Sequence, residues 1–304
     1  MRKRTYVISF IIILLIVSQL ALVRLIYAHK LNPDVAYNVS KIYSLKAGTV
    51  TNGETKLKID LSHLLTHQLS LQHYIDKVGQ NESEVPSVID LAWERSVKDA
   101  WIDSLADKYE LITSEEDTEE YLQEIILAGE DKDFATFSQE NYGLSEDRFK
   151  ELIVSPYLAE AQVYQYILEN YNDQVGITQA QDAYEELEAG QDFFEVAQKF
   201  ATDASYAENS IWLAENDLVD VYAPIKDLEV GQFGKIVIIP GAYVIWYLES
   251  IIEDEETKQN VWQAKSIVVQ AKSFEAFFKD FLISSCCLMV ATYFPSFSKI
   301  IGEL

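Results

Sequence analysis

Three of the four histidines stand close together, His63, His67 and His73 in DLSHLLTHQLSLQHY. On a helix, the four-residue spacing of the first two points both imidazoles to one side, where they could share a metal ion. The zinc-hydrolase pattern needs a glutamate directly after the first histidine as general base, and Leu64 stands there instead. Beside Leu64, Leu65 and Leu69 the three are expected to face solvent along an apolar stripe, and no metal is expected. The acidic runs Glu115–Glu120 and Glu253–Glu256 lack the spaced glycine of a calcium loop and read as solvated surface. Cys286 and Cys287 are neighbours, a geometry that disfavours a disulfide between them. None of these groups calls for a cofactor.

With 304 residues the chain is long enough for about two domains, each burying its own core. The 49 acidic and 24 basic side chains leave a net charge of −25, which repels nucleic acid. Residues 1–30 read as a membrane anchor. Arg2, Lys3 and Arg4 precede a charge-free run from Thr5 to Val23, just long enough to cross a bilayer as a helix, with Arg24 able to snorkel at its far end. A cleaved signal peptide is the alternative, but the apolar run is long and no small-x-small cleavage site follows. The leading basic residues favour a cytoplasmic amino terminus, a bias that Arg24 and Lys30 weaken. On that reading the bulk of a single-pass protein is extracytoplasmic.

The elements that must position any site follow from periodicity. Asn52-Gly53 between Val50-Thr51 and the run Leu57–Ile59 predicts a short hairpin. Residues 61–170 read as helical. Ile89, Trp93, Val97, Trp101 and Leu105 recur every four residues, and Thr113 with Glu116 reads as a capping box before Tyr121, Leu122, Ile125 and Ile126. Gly129 is expected to stop that helix. Phe134 and Phe137 mark a short helix, and Ser145 opens a long one that Pro156 should kink or split. After residue 172 the pattern becomes mixed. Thr178–Gly190 and Asp192–Phe200 predict two helices, 209–213 an irregular stretch, and Lys235–Ile239 with Ala242–Leu248 a hairpin through Pro240-Gly241. The fold class is therefore α+β: anchor 1–30, an all-α region 31–172, a mixed domain 173–282 and an apolar tail 283–304. The tail could be a reattaching helix, a membrane-associated segment or an irregular terminus.

Two stretches carry a family resemblance. Residues 88–168, through WIDSLADKYELITSEEDTEEYL, YGLSEDRFKELI and SPYLAEAQVYQYI, are similar to the helical domain of the SurA and PrsA extracytoplasmic foldases. Residues 178–250, through LEAGQDFFEVAQKFATDAS, IWLAENDL, IKDLEVGQFGKIV and GAYVIWYLES, resemble a parvulin-type peptidyl-prolyl isomerase. In place of the parvulin turn GGDLGW the chain has Glu208-Asn209-Ser210-Ile211-Trp212. The resemblance implies a four-stranded antiparallel sheet wrapped by helices, with its first strand, of the form A-R-H-I-L-V, beside its last. No such strand precedes Thr178. Ala264-Lys265-Ser266-Ile267-Val268-Val269 matches it except at the histidine, which suggests a circular permutation delivering a late strand to the vacant place; a peripheral extra strand is the alternative.

Carried over residue by residue, the resemblance puts the cysteine or aspartate of the parvulin site at Asp203 and its two histidines at Tyr243 and Ser266. These could still hydrogen-bond to each other or to a substrate carbonyl. Trp212, Val221 and Tyr222 fall near the apolar residues that line the proline pocket. Twisting an X–Pro bond must overcome a barrier of roughly 18–20 kcal/mol without covalent chemistry, so loss of both imidazoles weakens rather than forbids catalysis. The implied function is a membrane-anchored folding factor that binds unfolded or nascent exported polypeptides with a degenerate isomerase domain. An active isomerase with altered site residues and a non-catalytic envelope scaffold are the alternatives.

Overall fold

A computed structural model describes residues 17–19, 21–22, 24–25, 33–53, 55–78, 87–128, 133–170, 175–253, 259–284 and 286–289. The chain is α+β and divides into two units: Met1–Glu160 with Phe278–Leu304, and Ala161–Phe277. Among the described residues no helix is long and apolar enough to cross a membrane. Most of the expected anchor (residues 1–16, 20, 23 and 26–30) lies outside them.

The first unit opens with α1 (Pro33–Tyr43), β1 (Lys46–Asn52) and β2 (Thr55–Asp60). The hairpin expected at Asn52-Gly53 is present: Asn52 pairs with Thr55, and Gly53 takes a φ of 55°, the left-handed turn conformation that glycine adopts without penalty. Helices α2 (Leu61–Val78) and α3 (Val88–Tyr109) follow, the latter burying Trp93, Val97 and Trp101 as its four-residue rhythm requires. The capping box before α4 (Glu115–Ala128) is shifted by one residue from the expected pair. Ser114 Oγ accepts from the Asp117 amide at 3.0 Å, and Asp117 Oδ2 accepts from the Ser114 amide at 3.0 Å. Leu122 is buried and Tyr121 half-buried; the side chains of Ile125 and Ile126, and Gly129, lie outside the described set.

Helix α5 (Phe134–Tyr142) is capped by Asp133, whose carboxylate accepts from the Thr136 amide, and ends at Gly143 in the left-handed region. Then come α6 (Glu146–Phe149), a π-helical turn Lys150–Val154 and α7 (Ser155–Asn170). The split expected at Pro156 takes this form. Proline has no N–H and its ring clashes with the preceding turn, so the wider π turn immediately upstream gives it room.

In the second unit α8 (Val175–Glu188), α9 (Phe193–Phe200) and the short α10 (Ser205–Glu208) precede β3 (Ile211–Ala214). A 3₁₀ helix Asp220–Asp227 leads to β4 (Phe233–Ile239), β5 (Ala242–Glu253) and β6 (Asn260–Gln270). The stretch expected to be irregular at 209–213 thus includes a strand; with only four residues its alternation is too brief to read. The sheet order is β3-β6-β5-β4, all neighbours antiparallel. Residues 264–269 therefore lie in the interior of the sheet, paired with 242–248 on one side.

Side-chain alternation gives this sheet two apolar faces. Tyr243, Ile245, Ile267 and Val269 pack under α8 and α9 with Ala180, Ala183, Leu187 and Val196. Val244, Trp246, Leu248, Trp262 and Ala264 form the opposite face with Leu213, Leu218 and Ile225. The amino end of α8 meets the end of β6 closely: a Cβ built on Gly176 would stand 2.6 Å from the Gln270 carbonyl oxygen.

Helix α11 (Phe274–Ile283) returns the chain to the first unit. There Phe278 and Phe281 pack on Trp101 with ring centroids 5.5 and 5.1 Å away. Next, β7 (Cys286–Met289) pairs antiparallel with β1 and completes a three-stranded sheet, β2-β1-β7. The region read as all-α thus contains a small sheet whose third strand comes from the apolar tail. Residues 290–304 of that tail lie outside the described set.

Candidate functional site

Register decides which of the six candidate residues meet. On β5 and β6, Tyr243 stands opposite Val269 and Ser266 opposite Trp246. Successive residues of a strand point to opposite faces, so Tyr243 faces the helices and Ser266 faces the other way. The hydrogen bond between them that sequence reasoning allowed is therefore not made.

Tyr243 is fully buried, and its hydroxyl has no partner. Burial raises its pKa above the usual phenol value, and the Tyr164 phenol adds to the effect. A hydroxyl enclosed in an apolar core has no access to a peptide bond. Asp203 sits at the surface in the turn before α10, where its Oδ1 accepts from the Ser205 amide at 2.8 Å. That backbone hydrogen bond, reinforced by the Ser205 side chain, holds its pKa below the ordinary carboxylate value. The preceding Thr202 ties the turn to β6: its amide donates to the Val268 carbonyl at 2.8 Å, and its hydroxyl accepts from the Gln270 amide at 2.8 Å. Asp203 thus has a complete structural role as the cap of a turn.

Trp212 also departs from its expected place. Its neighbours Ile211 and Leu213 pack on the face that holds Ser266, so Trp212 points to the opposite face, where it is 58% exposed. Val221 and Tyr222 do lie over the Ser266 face. The indole Nε1–H of Trp246 donates to the Val221 carbonyl at 2.9 Å, and the Tyr222 ring packs on Trp246 with centroids 5.3 Å apart and planes tilted by 48°. Of the six candidates, the structure brings together Ser266, Val221 and Tyr222. Their common neighbour is Trp246, which sequence reasoning did not single out. The available signal was its place two residues from Val244 and from Leu248, but an unbroken apolar run hid which face it took.

This face is an apolar floor of Val244, Trp246 and Val268 with one hydroxyl, that of Ser266. Ser266 carries the one nucleophile-type group of this floor, and its neighbours Val244, Trp246 and Val268 offer no side-chain acid or base beside it. Its chemistry is that of a hydrophobic surface with one hydrogen-bonding group.

The histidines of the first unit have separate partners. His67 is buried rather than solvent-facing, with Nε2 2.8 Å from Asp99 Oδ2 and Arg95 Nε 3.0 Å from the other carboxylate oxygen. A four-residue apolar stripe is blind to this, because Asp99 arrives from the next helix. His63 lies 4.0 Å from Glu151, and His73 reaches the Glu140 carbonyl at 3.1 Å. Among the described residues no cluster of three potential metal ligands occurs. No family model, no curated protein and no solved structure matches the chain.

Proposed function

We propose that the chain is a membrane-tethered, extracytoplasmic folding factor whose second unit is a circularly permuted, parvulin-like domain that binds unfolded polypeptide and has little isomerase activity. The observation that carries this reading is the position of β6. The resemblance called for a strand of the form A-R-H-I-L-V in the interior of the sheet, beside the strand that carries GAYVIWYLES. Residues 264–269 occupy that position, although they come last among the strands of the sheet. The Gln270 end of β6 lies against the amino end of α8, so a short link there would restore the unpermuted order. Chain ends that lie close together are the condition under which permutation costs little.

Weak catalysis follows from the floor. Tyr243 and Ser266, which the resemblance puts at the two histidine places, carry no imidazole and face opposite sides of the sheet. Client binding has a separate basis in exposed apolar side chains, among them Trp212, Tyr157, Tyr206 and Ile112, which are 50–83% exposed. The tether is assigned to residues 1–30.

Two assays on the purified chain test the reading. It should suppress aggregation of a chemically unfolded client at near-stoichiometric amounts, and should accelerate cis–trans exchange of a proline peptide little or not at all. Strong isomerase activity would support an active enzyme instead. Absence of both effects would leave a scaffold and refute the folding-factor reading.

A further inference from the structure

The segment over the Ser266 face is built unlike the rest of the second unit. Asp220–Asp227 is an eight-residue 3₁₀ helix, whereas such helices seldom exceed three or four residues because their hydrogen bonds are poorly aligned. It begins at Asp220 with a φ of 48°, a left-handed conformation that costs a side-chain-bearing residue free energy. Pro224 removes one backbone donor from its middle. Its far end is anchored by Ile225, which is fully buried. Near the beginning, the Val221 carbonyl is held by the Trp246 indole, the Tyr222 amide donates to the Val219 carbonyl at 2.9 Å, and the Tyr222 ring rests on Trp246. One end is thus anchored by a buried side chain, and the other carries the left-handed strain and is held to the floor through Trp246, by one indole hydrogen bond and one ring contact.

We propose that Tyr222 is an internal plug, occupying on the Trp246 indole a binding site for an apolar ring, and that an extended peptide bearing a prolyl or aromatic side chain displaces it. The chemistry of the floor selects that ligand. Trp246 offers a ring face for stacking, and Val244 and Val268 supply apolar contact. Ser266, directly opposite Trp246 in register, is the one hydroxyl on the β5 and β6 side of the site and can donate to a peptide carbonyl next to the bound ring. The inference deepens the folding-factor reading and rests on it for the class of ligand.

The test measures binding of a fluorescein-labelled Ala-Ala-Pro-Phe peptide to the full chain by anisotropy. Tyr222→Ala, with its fold checked by circular dichroism, is expected to bind at least tenfold more tightly than the parent, because no ring has to be displaced. Tyr222→Phe keeps the plug and should stay within about twofold of the parent. Asp220→Gly relieves the left-handed strain of the closed state and should weaken binding about threefold; this arm stands even if Tyr222→Ala misfolds. Hydrogen exchange at the amides of 220–227 should accelerate when peptide is added to the parent. The proposal is overturned if folded Tyr222→Ala gains nothing, if Tyr222→Phe gains as much, if Asp220→Gly binds more tightly, or if exchange over 220–227 is unchanged. The broader reading is judged separately. Peptide-driven opening without suppression of client aggregation sinks the folding-factor reading alone, and suppression without the Tyr222→Ala gain sinks the plug alone.

Discussion

Tyr243 and Asp203 show how the role of a residue depends on where its polar atoms point. Tyr243 buries its whole side chain with the hydroxyl unpaired, and an unsatisfied buried hydroxyl costs more than the hydrogen bond it fails to make would have given. Tyr243→Phe is therefore expected to be neutral or to stabilise by up to about 1 kcal/mol, read from the urea midpoint, and to leave peptide binding unchanged. For Asp203 the depressed pKa fixes the sign of a pH effect. A carboxyl whose folded pKa lies below its ordinary value contributes stability that is complete above the ordinary carboxylate range and is lost as pH falls through the folded value. Asp203→Ala should lower the melting temperature at pH 7, and the difference from the parent should close as the pH drops below that range. Thermal scans across pH check it; a difference that persists in acid would mean the carboxylate charge is irrelevant to the turn. In the first unit, His67 and Asp99 form a buried pair that neither residue announces alone.

At the scale of elements, the junction of α8 with β6 leaves no room for a side chain. The Cβ that Gly176 lacks would collide with the Gln270 carbonyl at 2.6 Å and approach Ala271 Cα and Tyr243 Cε2 at 3.2 Å. Backbone oxygen cannot turn aside as a flexible side chain can, so Gly176→Ala must push the helix off the strand. A loss of about 1–3 kcal/mol is expected, measured by urea unfolding; a neutral result would show that the junction is loose. The π turn before Pro156 and the one-residue shift of the capping box to Ser114 and Asp117 concern the same scale. Both helices fall where their signals put them, while the local hydrogen-bonding solution is chosen among near-equivalent residues. Thr113 and Ser114 are both plausible caps by type. Asp117 reaches the Ser114 amide, and that reciprocal bond settles the choice.

For the whole molecule, the second unit leaves the first within α7 and the chain returns within α11. The sheet of the second unit should survive reordering, because its order depends on which edges meet rather than on when each strand is made. A chain beginning at Asn260, running to Ala271, passing through a short glycine linker to Val175 and ending at Glu253 is expected to fold with a cooperative thermal transition and the same β-rich circular dichroism. Failure of that reordered chain to fold, while the parent unit within the full chain is intact, would count against the permutation.

The sequence by itself determined the α+β class, most helix positions and both hairpins; the pairing of 264–269 with 242–248 was one of two alternatives it left open, and the sheet decided it. The class, the helices and the hairpins rest on local periodicity and turn chemistry. It did not determine which face each residue takes in Tyr243–Leu248. Every residue there is apolar or aromatic, so the two-residue alternation that marks a half-buried strand is absent, and a slip of one residue exchanges the faces. Register against β6, fixed only when the sheet assembles between two apolar layers, set Ser266 with Trp246 and turned Tyr243 into the core. The partner of His67 and the pairing of 286–289 with β1 were likewise tertiary outcomes, since their partners are distant in the chain.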